Sequence, residues 1–276
     1  MSKKTYVITG ATSGIGKALT EILAKDNIVY AGYRSEKKGE ELEKISSNIR
    51  PFYVDYAKPD TIQNAVLKIK KDCEKIDTVI NIAGCVVAGP VEKLSIDEVR
   101  RQFNVNVFGH LEFTQGLLDL MNNSKIINIS SMASFGIFPF ISPYCASKRC
   151  LDMFFNSLLI ENKRNLKIIS IKPGVICTPL WEKSIKENTE CMATCDGYEQ
   201  EMAFIAKNAQ KNETEGLTTE IVVKKILEID NMKNPRLSYT IGKDAFFASI
   251  IAKLPQNLVN KLVKFGLRFR MKNCAG

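Results

Sequence analysis

The sequence predicts an α/β protein: one doubly wound parallel sheet of about seven strands, in a single domain spanning residues 1–276. Three observations carry this. Short β-branched runs alternate with amphipathic stretches of helical length. The strand candidates are apolar throughout, as strands covered on both faces are. A glycine-rich turn joins the first strand to the first helix, and right-handed crossovers then wind helices onto both faces.

Strands are expected at residues 5–9, 28–32, 49–54, 78–81, 125–130, 167–172 and 237–241, each rich in Ile, Val, Thr or Tyr. Helices are expected between them at residues 15–25, 62–73, 96–121 and 146–162. No repeat and no linker divides the chain. Residues 180–216 are polar, helical in period, without a strand, and flanked by Pro179 and Gly216. They read as an insertion over the sheet.

Composition narrows the function classes. At 45% hydrophobic and 25% charged, the chain is a soluble globule, not a disordered or collagen-like one. One histidine, His110, excludes the common zinc enzymes and leaves a Ser-His-Asp mechanism dependent on that single ring. There are eight cysteines, but the start MSKKTYVITG has no apolar signal core, so free thiols and a cytoplasmic location are expected. Cys191 and Cys195 sit one helical turn apart without further ligands nearby, and no metal is expected. No apolar run reaches the ~18 residues of a membrane span, the longest being 245–252.

The net charge of +9 is unevenly placed. Residues 1–244 hold 33 basic and 30 acidic groups, whereas residues 245–276 hold six basic groups and no acid. The basic character therefore belongs to a tail, which argues against a nucleic-acid partner.

The first strand ends in Thr9, Gly10, Ala11, Thr12, Ser13, Gly14, Ile15 and Gly16, and a helix follows at once. Glycines there allow a tight turn and close approach of backbone to phosphate, while the helix start offers free N–H groups to a pyrophosphate. This is a Rossmann-like arrangement. NAD-binding versions usually end the second strand in an acid that takes the ribose hydroxyls. Here Arg34 and Ser35 stand instead, a guanidinium and a hydroxyl suited to a 2′-phosphate, so the expected cofactor is NADP(H).

Several segments together resemble the short-chain dehydrogenase/reductase family. Residues 9–16 match its T-G-x-x-x-G-I-G turn. Asn81, Ile82, Ala83 and Gly84 resemble N-N-A-G with Ile82 for the second Asn, and residues 104–109 match N-V-N-x-x-G. Ser131 and the Tyr144-x-x-x-Lys148 spacing match the catalytic serine, tyrosine and lysine. Pro173, Gly174, Val175 and Thr178 match the segment that closes over nicotinamide. The match covers residues 5–180 in family order, and its specificity lies in the set.

The resemblance implies reversible hydride transfer between nicotinamide and a carbonyl or alcohol carbon. Tyr144 is then the acid/base, and Lys148 both lowers its pKa and binds the nicotinamide ribose. Ser131 would bond the substrate oxygen, and Asn106 would hold a proton-relay water. Asp55 either contacts adenine, as the family does, or caps a turn. His110 is expected to be structural. Cys145 and Cys177, by location, would make the enzyme sensitive to thiol reagents. Residues 1–180 would form the cofactor and catalytic core. Residues 181–276 would supply a substrate-covering insertion, the last strand and a basic C-terminal helix.

Substrate choice is expected in residues 86–94, 135–143 and 178–215. Phe135, Phe138 and Phe140, with Leu180 and Trp181, suit a lipophilic alcohol or ketone or else pack the core or an oligomer contact. Residues 88–92, the R-R-Q-F-x-V-N run and the tail resemble the steroid- and retinoid-type branch. A homo-oligomer, dimer or tetramer, is expected. In the tail Leu258, Leu262, Phe265 and Phe269 recur on one helical face, with Lys261, Lys264, Arg268 and Lys272 on another. Such a helix packs over the substrate pocket or makes peripheral contact with an anionic membrane, and the former is the favoured expectation. Three alternatives to this reading are a non-catalytic NADP(H)-binding regulator, a reductase of a smaller polar carbonyl, and another Rossmann-type enzyme such as a methyltransferase. The full proton-relay set argues against the regulator, and Arg34 with the Tyr-x-x-x-Lys spacing against the methyltransferase.

Overall fold

A computed structural model describes residues 3–178, 180 and 195–272. Seven strands form one parallel sheet in the order β3-β2-β1-β4-β5-β6-β7. They are β1 Thr5–Ile8, β2 Ile28–Tyr33, β3 Ile49–Tyr53, β4 Thr78–Asn81, β5 Lys125–Ile129, β6 Lys167–Pro173 and β7 Ser238–Ile241. Each lies within about two residues of its expected place. The apolar runs are explained by burial on both faces. Along β1, Tyr6 and Ile8 point into one core with Leu19, Val223, Ile226 and Ile229. Val7 between them points into the other, with Phe52, Ile62, Phe113 and Phe155.

The helices that cover those faces are α1 Gly14–Leu23, α2 Glu36–Glu43, α3 Pro59–Asp72, α4 Ile96–Phe103, α5 Gly109–Leu117 and α6 Ser142–Glu161. After them come α7 Glu199–Glu215, α8 Thr219–Asn231, α9 Lys243–Ile251 and α10 Gln256–Lys272. The chain runs outward from β1 to β3 and then returns to pair β4 with β1. That reversal opens a crevice at the carboxyl ends of the strands, where such sheets bind ligands.

Three departures from the sequence expectation bear on function. The single helix expected over residues 96–121 is broken by a π-turn, Asn104–Phe108, between α4 and α5. Gly109, which follows the π-turn, packs against Tyr56 so closely that a Cβ would lie 2.5 Å from the ring. Helix α6 begins at Ser142, earlier than expected, because Pro143 in its first turn suits a helix start. Tyr144 thus stands inside the helix.

Helix α10 does not cover the cleft as expected. No α10 residue lines it, and Leu258, Leu262, Phe265 and Phe269 are exposed. Of the expected insertion, α7 is described, while Trp181 and Cys191 lie outside the described residues.

At the opposite end of the sheet the buried Asp230 of α8 gathers three strands. It accepts hydrogen bonds from Tyr6 Oη (2.7 Å) and Thr78 Oγ1 (2.8 Å), and Lys4 Nζ lies 3.3 Å away. Its backbone carbonyl accepts from Lys125 Nζ. Asp230→Ala should cost about 3 kcal/mol in urea unfolding, because two buried hydroxyls lose their acceptor. A loss below about 1 kcal/mol would show that water replaces the carboxylate.

Candidate active site

A cleft runs along the carboxyl ends of β1, β2, β4, β5 and β6. At one end stands the glycine-rich turn. Gly10 and Gly14 take left-handed backbone (φ 66° and 49°), which side-chain-bearing residues rarely adopt. Ser13 precedes α1 without a side-chain cap, so the first-turn N–H groups stay available to an anion. Thr12, Ser13, Gly14 and Ile15 all line the cleft, and Thr178 faces Gly14 across it. These features fit a pyrophosphate.

Arg34 reaches the cleft at the end of β2, and Asp55 enters from the end of β3. Asp55 Oδ1 also accepts from Ala57 N (3.0 Å), so it caps a turn while facing the cleft. Ala83, Gly84, Pro173 and Gly174 complete the floor.

Five expected site residues stand elsewhere. Asn81 turns inward, donating to Asn128 Oδ1 (2.8 Å), because strand alternation at the end of β4 points it into the core. Gly16 allows packing rather than contact: its Cβ would sit 2.2 Å from the Gly10 carbonyl. Ser35 is exposed as the residue preceding α2. Val175 gives its N–H to Asp244 (2.8 Å). Asn106 lies behind the cleft wall. Its side chain accepts from Cys85 N and donates to Cys85 O, both 2.9 Å, and donates to Ser147 Oγ (3.0 Å). With its carboxamide committed to protein atoms, any relay water would have to be held by another part of this residue.

Ser131, Tyr144 and Lys148 converge on the cleft. Ser131 Oγ accepts from Ala133 N (3.1 Å), which leaves its O–H to donate into the cleft. Lys148 Nζ donates to the Ile129 carbonyl at 2.9 Å and lies 5.8 Å from the centre of the Tyr144 ring. Burial pushes the Tyr144 phenol up to about 12, opposed by the Ser131 hydroxyl. Burial also brings Lys148 down to about 8, against the pull of Asp152 one turn on. The lowering of the tyrosine expected from its lysine is not among the influences on the phenol, which burial raises and only the Ser131 hydroxyl opposes.

Burial likewise raises the buried Cys145 thiol, which disfavours the reactive thiolate its location suggested. Beside Tyr144, Val86, Ala133, Phe138, Ile141 and Leu180 form an apolar cluster. Phe140 adopts a left-handed backbone (φ 66°), its carbonyl accepting from Gly89 N (2.8 Å) and its ring meeting Tyr198 edge-on.

Apart from His110, which the sequence predicts to be structural, sequence reasoning missed the residues that hold the wall. Thr9 Oγ1 accepts from Ile82 N (3.0 Å) and Ala83 N (3.3 Å), and Gln102 Oε1 accepts from Val87 N. His110 Nε2 bonds the Ala83 carbonyl (2.7 Å), and burial holds the ring down to about 3, so it is neutral. Ser147 Oγ donates to the Tyr144 carbonyl (2.8 Å). Asn106 and His110, four residues apart in a helical stretch, are the part of this set that the sequence displayed.

Known proteins resemble this chain in sequence and in fold. Residues 4–189 match the family model described as short chain dehydrogenase. The NADPH-dependent 3-dehydrocapnine reductase of Ornithobacterium rhinotracheale is 30% identical over 269 residues, covering 93% of this chain and 94% of that protein. The 3-ketodihydrosphingosine reductase of Bacteroides thetaiotaomicron is 27% identical over 265 residues, covering 94% and 96%. A short-chain dehydrogenase structure from Streptomyces avermitilis shares the fold with a TM-score of 0.77 at 19% identity, covering 98% of each chain. With the family model spanning the Tyr144–Lys148 segment and most of the sheet, the chain belongs to the short-chain dehydrogenase/reductase family.

Proposed function

We propose that this protein is an NADPH-dependent reductase of a lipophilic ketone. The observation that carries the reading is the convergence of Ser131, Tyr144 and Lys148 at an apolar wall of one cleft, with Arg34 at its far end. The names of two relatives matched over nearly their full length both describe reduction of a keto or dehydro carbon, one of them with NADPH. The relatives also include proteins named as steroid dehydrogenases, so a steroid-type ketone stands beside the keto and dehydro substrates of those two names.

When bound, the dinucleotide supplies hydride to the carbonyl carbon. The chain supplies the proton and the geometry. A phenol raised to about 12 stays protonated at neutral pH, so Tyr144 is ready to donate to the ketone oxygen. Ser131, its lone pair engaged by Ala133 N, donates a second hydrogen bond to the same oxygen and stabilises its developing charge. Lys148, charged below about pH 8, stands close enough to the ring to favour the phenolate once the proton has left. Asn106 acts as a positioning residue, through Cys85 on one side and Ser147 on the other. Arg34 pairs with a 2′-phosphate.

Three measurements test this reading. Tyr144→Phe should lower kcat for ketone reduction roughly a thousandfold while leaving the fluorescence-measured Kd for NADPH unchanged. Retained turnover would remove the tyrosine from the mechanism. Arg34→Ala should lower the ratio of kcat/KM for NADPH over NADH by about ten- to a hundredfold. A wild-type ratio below one would refute the cofactor assignment. For reduction, kcat/KM should be level on the acid side and fall above pH about 8 as Lys148 loses its proton. A profile flat to about pH 10 would exclude that lysine from proton supply.

A further inference from the structure

The last two helices carry an apolar surface that no described part of the protein covers. On α9, Phe246, Phe247, Ile250 and Ile251 are 39–62% exposed, and on α10 Leu258, Leu262, Phe265 and Phe269 are 43–71% exposed. Only Ala245 and Val259 of these helices are buried among the described residues. The aromatic residues meet one another on the outside: Phe246 with Phe247, and Phe265 stacked on Phe269. A helix surface this apolar needs a partner.

The charge around it selects the partner. Lys261, Lys264 and Arg268 are exposed along one flank of the α10 stripe and Arg270 along the other, by the 3.6-residue period. No acid occurs from residue 245 to the end. A second copy docked on this face by a two-fold axis would set these cations against their own counterparts. An anionic lipid surface instead accepts the apolar stripe among its acyl chains and the flanking cations at its headgroups. No helix among the described residues is long and apolar enough to cross a membrane, which fits a surface-lying geometry.

The platform is fastened to the catalytic cleft. Helix α9 starts after Gly242, and the Asp244 carboxylate accepts the Val175 N–H at 2.8 Å. It occupies the space that a side chain on Gly174 would need, 2.0 Å from the would-be Cβ. Helix α9 also packs on the turn Met132–Phe135, which directly follows Ser131.

We propose that α9 and α10 together form a docking platform for anionic phospholipid membranes, attached directly to the segments that flank the catalytic cleft. This does not rest on the reductase reading, and a catalytically inactive protein should dock equally well.

The test is co-sedimentation of the full chain with phosphatidylcholine vesicles, with and without phosphatidylserine. Binding should require phosphatidylserine and fall several-fold on raising the salt from low to molar concentration. Phe265→Ser with Phe269→Ser, and separately Lys264→Glu with Arg268→Glu, should each reduce it several-fold with an unchanged circular dichroism spectrum. Tyr144→Phe should bind as wild type does. Equal sedimentation with both vesicle types, or none with either, overturns the proposal, and the wild-type comparison stands whether or not the variants fold. A wild-type dimer by light scattering that the Phe265/Phe269 pair converts to monomer also overturns it, assigning the face to a second copy.

Discussion

The site depends on how one stretch of irregular backbone is kept inside the protein. Where the chain leaves β4, residues 82–89 form neither helix nor strand, yet they run from half-buried to fully buried. Backbone N–H and C=O groups in such a place must be bonded, because each one left bare costs on the order of 1–3 kcal/mol. Here side chains provide the partners: Thr9, His110, Asn106 and Gln102 in turn. Gln102, Asn106 and His110, spaced by four, reach the strap from a helical stretch that contains the π-turn. Through Ser147 the same network reaches the backbone of Tyr144, so the wall and that tyrosine are fixed by one set of bonds.

What could be read from the sequence follows from how local each signal is. The strands were visible because burial on both faces leaves an uninterrupted apolar run. Tyr144 and Lys148 were visible because a spacing of four on a helix places two side chains on one face. The π-turn was hidden, since one extra residue barely alters the hydrophobic period over residues 96–121. Thr9, Gln102 and Ser147 were hidden for a different reason: their partners lie 73, 15 and 41 residues away in sequence. The inward turn of Asn81 depends on where β4 ends, and the family motif alone does not give its side-chain direction.

Electrostatics was the other place where local reasoning fell short. From sequence, the lysine beside the tyrosine is the obvious influence on the phenol. In the folded protein both groups are buried, and withdrawal from water moves each toward its neutral form. The pair is thereby poised as a protonated phenol near a lysine that holds its charge only weakly. That state is suited to giving a proton away, the direction that the proposed ketone reduction needs.

The Asp230 cluster gives the architecture a historical dimension. The bonds that gather β1, β4 and α8 lie at the amino ends of the strands, and the candidate active site lies at their carboxyl ends. A lineage with this layout is free to vary the loops around Phe138 and Phe140 while its anchor is untouched. Changes of substrate then draw little on the stability reserve. Descendants with different specificities should diverge at one rim of the sheet and remain alike at the other.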